Sequence, residues 1–182
     1  MKDNIIQFNS NIAQDNSDTR VTFYANIGFL IEVVQMLEFN LRKLLCYHLS
    51  VSEIEKNELT KENILSICKK YDDYYFKTYT DKWTLGQLKG EISKLNLLKD
   101  DIINYFTEIN NYRNLIVHKV FQNNIISHAL EDSQKVSEYN KKRLIPMTDK
   151  AIAINDLVIK IIGAYRDNLR SYKRQFNIPC AD

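Results

Sequence analysis

Near the middle of the chain, Arg113, Asn114 and His118 stand within five residues of each other, in the run DDIINYFTEINNYRNLIVHKVF that occupies positions 100–121. Cleaving RNA without a metal needs little more than these residue types. Transesterification needs a base to take the proton of the ribose 2′-hydroxyl, an acid for the leaving oxygen, and a cation against the charge that builds on the phosphorane. An imidazole, with an unperturbed pKa of about 6.5, suits the proton transfers. A guanidinium stays charged and offers a fork matched to phosphate oxygens. Asn114 lies one helical turn before His118, where an amide can hold the imidazole tautomer or bind phosphate.

The element that must position them is a helix. Ile102, Phe106, Ile109 and Ile116 recur at the spacing of one buried face, and Arg113 interrupts that stripe with a charge. A charge on a core-facing stripe is expensive unless paired or used. Asn104, Thr107, Asn111, Asn114 and His118 fall together on a different face, polar but without formal charge when the histidine is neutral. Five residues on an ideal helix turn through roughly 140°, so Arg113 and His118 do not reach one phosphate unless the helix end loosens or a second copy of the chain contributes. The structural alternative is that Arg113 pairs with a buried carboxylate such as Glu38 or Glu91 and that His118 is an ordinary helix-end histidine.

The pattern from Arg113 to His118, arginine, a polar residue, three variable positions and histidine, resembles the signature of the HEPN superfamily. These are helical domains of prokaryotic defence and toxin–antitoxin systems, many of them metal-independent ribonucleases. The run Thr84-Leu85-Gly86-Gln87-Leu88, about 25 residues earlier, looks like an element of some phage-defence HEPN branches. The resemblance implies an all-α, HEPN-like bundle of four to five main helices, a homodimer in which two motif helices form one composite cleft, and RNA as substrate. It implies catalytic roles for Arg113, His118 and Asn114, no metal or other cofactor, and products ending in a 2′,3′-cyclic phosphate and a 5′-hydroxyl. Family members often work beside a nucleotidyltransferase-type antitoxin that modifies the toxin, which makes Tyr112 an acceptor candidate. Two other readings are a non-catalytic HEPN module that binds RNA or a partner, and a helical dimerisation scaffold that binds no RNA.

Around the motif, the chain reads as few, long helices. Residues 1–17 are rich in Asn, Asp, Gln and Ser and are expected to form a loose arm, leaving 18–182 as a single domain. A helix is expected from there to about Leu49, with Phe23, Ile27, Leu30, Val34, Leu37, Leu41 and Leu44 as its core stripe. A second apolar stripe, Phe29, Val33 and Met36, needs its own cover, and in a chain this small that cover can be another subunit. His48, at the expected helix end, favours the negative pole of the helix dipole. Residues 51–70 read as a shorter helix with Ile64, Leu65 and Ile67 inward. The tyrosine-rich stretch YDDYYFKTYTDKW reads as a packed loop, with base stacking beside Lys77 and Lys82 as the functional alternative.

Thr84 and Gln87 have the spacing of a capping box that starts the next helix, through Leu88, Ile92 and Leu95, and Asp100 or Asp101 opens the motif helix. A loop and weak helix are expected after Phe121, where His128 has no evident partner. Pro146 is expected to stop what precedes it and Thr148 to cap the last helix, which buries Ile154, Val158, Ile161, Tyr165, Leu169, Tyr172 and Phe176. Beside that stripe, Arg166, Arg170, Lys173 and Arg174, opposed only by Asp167, form the best electrostatic footprint for nucleic-acid phosphate in the sequence. A solvated, cation-rich helix end is its plain alternative.

Composition bounds these readings. The 182 residues suffice for one core without disulfides, and with 45% apolar residues disorder is not the default. Four glycines and two prolines favour long helices over many turns. The net charge of +2 decides nothing about nucleic acid, so that case rests on local patches. Cys46, Cys68 and Cys180 lack paired spacing and suit reduced thiols in a cytoplasm. A polar N-terminus without a signal-peptide run, and an apolar run Ile27–Leu37 that contains Glu32 and is too short to span a bilayer, lead to the expectation of a cytoplasmic protein with no membrane partner. No glycine-rich phosphate loop, paired-cysteine zinc spacing or His-Glu-x-x-His occurs.

Overall fold

The computed structural model describes residues 17–119 and 132–179. Among them the protein is an all-α bundle of five continuous helices with no strand. Helix α1 spans Ser17–Lys56 and α2 spans Lys61–Lys69, continuing without a break as the π-helical Lys70–Tyr79. Helix α3 spans Leu85–Lys94 and α4, which carries the motif, spans Asp100–Lys119. Helix α5, Ser133–Tyr139, runs through π-helical Asn140–Leu144 into α6, Ile145–Gln175.

Helix α1 is the axis. Its expected stripe is buried, with Phe23, Leu30, Val34, Leu37, Leu41 and Leu44 inaccessible and Ile27 half-buried. Helix α6 lies parallel beside it. Asn26 Nδ2 donates to Asn140 Oδ1 at 3.5 Å and Asn40 Nδ2 to Asn155 Oδ1 at 2.8 Å, His48 Nδ1 meets the Tyr165 hydroxyl at 2.9 Å, and the Tyr172 hydroxyl donates to Glu55 Oε1 at 3.1 Å. The offset between partners stays between 114 and 117 residues along this series, so the two helices keep register over most of their length. Helix α4 runs the other way. Tyr112 stacks on Tyr139, and Lys150 bonds Glu108 at 2.8 Å while lying 4.3 Å over the Tyr105 ring. The stretch Val21–Lys56 of α1 is long and apolar enough to cross a bilayer, with mean hydropathy 1.2 in its most apolar window. This apolar stretch is longer than the Ile27–Leu37 run read from the sequence as too short to span; core helices pass the same measure, and 28% of the window is buried here, on the face that packs against α3, α4 and α6.

The structure corrects several local expectations. Helix α1 does not end near Leu49 but continues to Lys56, so residues 51–56 belong to it, with Val51 and Ile54 buried. The break falls at 57–60, where Thr60 caps α2 by accepting from the Asn63 amide at 3.1 Å. Leu65 is exposed, because Ile64, Ile67 and Tyr71 take the inward positions. The tyrosine-rich stretch is largely helical rather than a loop. Its inward positions, Tyr71, then the pair Tyr75 and Phe76, then Thr80, recur at four to five residues, a spacing that suits the wider i→i+5 turn. The Thr80 amide closes that turn on the Tyr75 carbonyl at 2.8 Å.

Pro146 likewise stops nothing. A proline lacks an amide hydrogen and crowds the carbonyl four residues back, and the π-helical Asn140–Leu144 immediately before it re-registers the helix so that it passes through. Thr148 is therefore no cap. It is buried inside α6, with Oγ1 donating to the Leu144 carbonyl at 2.9 Å.

Two helix ends use asparagine where glycine is commoner. Asn96 and Asn177 have φ of 51° and 53°. After α3, Leu97 N donates to Ile92 O at 3.2 Å and Asn96 N to Ser93 O at 3.1 Å; after α6, Ile178 N donates to Lys173 O at 2.9 Å and Asn177 N to Arg174 O at 3.1 Å. Both are Schellman endings, which satisfy carbonyls the helix leaves free and turn a hydrophobic residue, Leu97 or Ile178, back onto the core. The capping box at Thr84 and Gln87 forms as expected, and the Glu38 carboxylate adds a bond to the Leu85 amide at 3.2 Å.

Candidate functional site

Helix α4 opens at Asp100, with Asp101 beside it in the first turn, where negative charge favours the positive end of the helix dipole. It buries Ile103, Phe106, Ile109 and Ile116, while Ile102 is half-buried at the edge of the stripe. Arg113 lies between Ile109 and Ile116 on this face and is half-buried. Its Nη1 donates to Oδ1 of Asn114 at 3.1 Å. Among the described residues no carboxylate pairs with it. Glu38 caps α3 and Glu91 pairs with Lys94, so neither of the anionic partners suggested by the sequence is used this way.

The uncharged stripe also lies where the periodicity put it. Asn104, Thr107, Asn111 and His118 are exposed and Asn114 is half-buried, and Thr107 Oγ1 is bonded by Lys89 Nζ at 2.8 Å. His118, in the last turn of α4, makes no hydrogen bond to Arg113 or Asn114. Within one chain the motif therefore supplies a guanidinium held by an amide and an open imidazole, in separate directions.

Tyr112 points elsewhere. Its ring stacks on Tyr139 at 6.4 Å with 17° between planes, and both hydroxyls are buried without a hydrogen-bond partner among the described residues. Burial pushes the Tyr112 phenol well above its usual range, with Tyr139 adding to the shift and Arg143 opposing it. A modifying enzyme does not reach this hydroxyl unless α4 and α5 part.

The basic stripe of α6 stands apart from the motif. The motif end of α4 is level with Tyr139, through the Tyr112 stack, and Arg166 lies 27 residues further along the same continuous helix, between roughly 35 and 40 Å away at about 1.5 Å per residue. Arg166 and Arg174 are exposed, whereas Arg170 and Lys173 are half-buried, with Arg170 3.9 Å from Asp167. One chain thus does not bring the cation stripe and the Arg113–His118 motif to the same place.

His48 has a different setting from the one expected. Since α1 continues for two turns beyond it, the imidazole is not at a helix end. It bonds the Tyr165 hydroxyl and meets that ring edge-on at 5.3 Å, and burial lowers its pKa. His128 and Cys180 lie outside the described residues.

A cleft that sequence reasoning missed lies where α1, α2 with its π-helical extension, and α6 meet. It encloses about 610 Å³ and presents Lys43, Lys69 and Lys173 beside Asp72 and Asp73, with Cys46 and Cys68 in its wall. Lys43 is committed, 3.6 Å from Asp72 and 4.1 Å over the Phe76 ring. Burial pushes the Cys46 thiol up to about 12, which leaves it protonated and unreactive. Its lining comes from three helices far apart in sequence, so no local motif announces it. Compared with known proteins, the chain matches no family model, no curated protein and no solved structure.

Proposed function

We propose that this protein is a metal-independent endoribonuclease of the toxin or phage-defence kind, working as a homodimer in which two α4 helices meet to form the cleft. The observation that carries the reading is the state of Arg113: half-buried on an otherwise apolar stripe, anchored by Asn114, and not neutralised by a carboxylate among the described residues. Such a guanidinium is oriented and retains its charge for an anion. The open His118 imidazole and the exposed, uncharged face of α4 fit an arrangement in which the partner's copy of the motif completes the site.

In this mechanism one His118 takes the proton of the ribose 2′-hydroxyl as its oxygen attacks phosphorus. Arg113 balances the charge of the phosphorane, and the same imidazole, now protonated, gives that proton to the departing 5′-oxygen. The bond from phosphorus to the 5′-oxygen breaks, leaving a 2′,3′-cyclic phosphate and a 5′-hydroxyl. The test is RNA cleavage in excess EDTA by the parent beside Arg113→Ala and His118→Ala, with the oligomeric state measured for each.

A second reading, a non-catalytic module that binds RNA through α6, is favoured by the separation of the basic stripe from the motif. It predicts salt-sensitive binding that survives loss of His118. A nucleotidyltransferase-type antitoxin remains part of the proposal as a partner, but the buried Tyr112 hydroxyl gives it no ready acceptor in this conformation.

A further inference from the structure

The charges that line the cleft of about 610 Å³ between α1, α2 with its π-helical extension, and α6 do not balance. Asp72 is answered by Lys43 at 3.6 Å, and Asp73 by Lys77, which bonds it at 2.7 Å from outside the lining. Lys69 and Lys173 are left over. Neither makes a hydrogen bond or ion pair among the described residues, and Lys69 adds only a longer-range attraction to Asp73. Lys69 belongs to α2 and Lys173 to α6, so two ammonium groups border one space from two walls. Apolar surface lies in the same lining: Cys46 and Leu169 are buried, and Leu65 is exposed beside the core residues Ile64 and Ile67. Tyr47, half-buried, has no hydrogen bond or ring contact among the described residues, so its hydroxyl is open as a donor.

We propose that this cleft binds a small organic phosphate monoester, a phosphate dianion carrying an apolar or aromatic body. Two unopposed ammonium groups match the charge such an ester carries near neutral pH, whereas a carboxylate leaves one of them unanswered. The Tyr47 hydroxyl supplies a donor for an ester oxygen, and Leu65 and Leu169 supply surface for the body. The volume is ordinary for a small-molecule pocket and suits a ligand no larger than a mononucleotide. An RNA strand is the competing ligand, since Lys173 neighbours the basic stripe. A strand needs a basic track, however, and here Asp72 and Asp73 stand in the lining beside the two free lysines. This site stands independently of the ribonuclease reading.

The test is calorimetric titration of the full chain with naphthyl phosphate and with adenosine monophosphate, beside naphthol, adenosine and inorganic phosphate. At least one ester should saturate, about 10-fold or more tighter than inorganic phosphate because its body is buried, and the phosphate-free bodies should not bind. Preference for the naphthyl ester assigns the body as hydrocarbon, and preference for the nucleotide as a nucleoside. Lys69→Ala and Lys173→Ala, each checked for unchanged helical circular dichroism, are expected to weaken the ester by about 3- to 30-fold, between the strength of an exposed ion pair and that of a charge-assisted hydrogen bond. Leu65→Glu, at an exposed position, should abolish binding by placing a carboxylate in the cleft. The proposal is overturned if neither ester saturates, if naphthol or adenosine binds as tightly as its ester, or if both lysine variants bind like the parent. It is equally overturned if a DNA oligomer without terminal phosphates, which has no 2′-hydroxyl to be cleaved through, competes as well as the ester.

Discussion

The guanidinium of Arg113 is held by the side chain of its own sequence neighbour, with Nη1 donating to Asn114 Oδ1 at 3.1 Å. The pair is local to one turn of α4, and no second helix contributes a countercharge among the described residues. An arginine that closed a buried ion pair would be a stability element, and its loss would cost about 3–5 kcal/mol. This one carries a single charge-assisted bond to an amide.

Arg113→Ala should therefore cost no more than about 1.5–3 kcal/mol of folding stability. Urea unfolding of the variant checks this. A larger loss would show that the side chain works as a structural tie, and any loss of activity in the variant would then have a trivial cause.

His48 gives a pH signature. Its pKa is lowered in the folded state by burial, so folding favours the neutral ring. The stability this contributes is fully present above the unfolded pKa of about 6.5 and is lost as pH falls from there through the folded value. The urea midpoint of the parent should thus fall between pH 7.5 and 5 by more than that of His48→Gln. Parallel profiles would remove His48 from the acid response.

The fold was legible where a 3.6-residue period was clean and not where it was broken. The core stripes of α1 and α4, the capping box at Thr84 and the exposed face of Asn104, Thr107, Asn111 and His118 all follow from spacing alone, because one helix face decides each. The π-helical segments escaped because their inward residues are four to five apart, and Pro146 misled because its usual effect is absorbed by the wider turn before it. Spacing gives residues 51–56 to the following helix, whereas the break falls at 57–60: Val51 and Ile54 continue the buried face of α1, and the Ser50 hydroxyl donates to the Cys46 carbonyl at 2.7 Å. The distance between the basic stripe and the motif depends on α1 and α6 being parallel and α4 antiparallel, a matter of topology that no local pattern carries.

The second apolar stripe of α1 is only partly covered. Val33 is buried, but Phe29 and Met36 are each 49% exposed. We propose that the dimer interface extends from α4 over these two residues. Phe29→Ser with Met36→Ser should shift sedimentation toward the monomer while changing monomer stability by no more than about 0.5 kcal/mol per site. Phe106→Ala, in the core, should by contrast cost about 3–5 kcal/mol. A double-serine variant that associates like the parent would place the interface elsewhere.

The cation stripe of α6 should act on affinity and not on chemistry. Arg166→Ala and Arg174→Ala are expected to weaken RNA binding and to lower the slope of log K against log salt by about 0.7 for each phosphate the variant no longer neutralises. Cleavage at saturating RNA should be unchanged, since these residues lie far from the motif. A fall in the saturated rate with unaltered binding would contradict that division.

The most direct measurement is complementation in EDTA between two inactive variants. Arg113→Ala and His118→Ala are each expected to abolish RNA cleavage by the parent. If catalysis takes its arginine from one chain and its histidine from the other, the two-fold cleft holds two equivalent Arg113–His118 sets, and a heterodimer of the two variants retains one of them. An equal mixture after subunit exchange should then recover about a quarter of the parent rate. No recovery from the mixture would contradict the composite cleft, and no cleavage by the parent would contradict the ribonuclease itself.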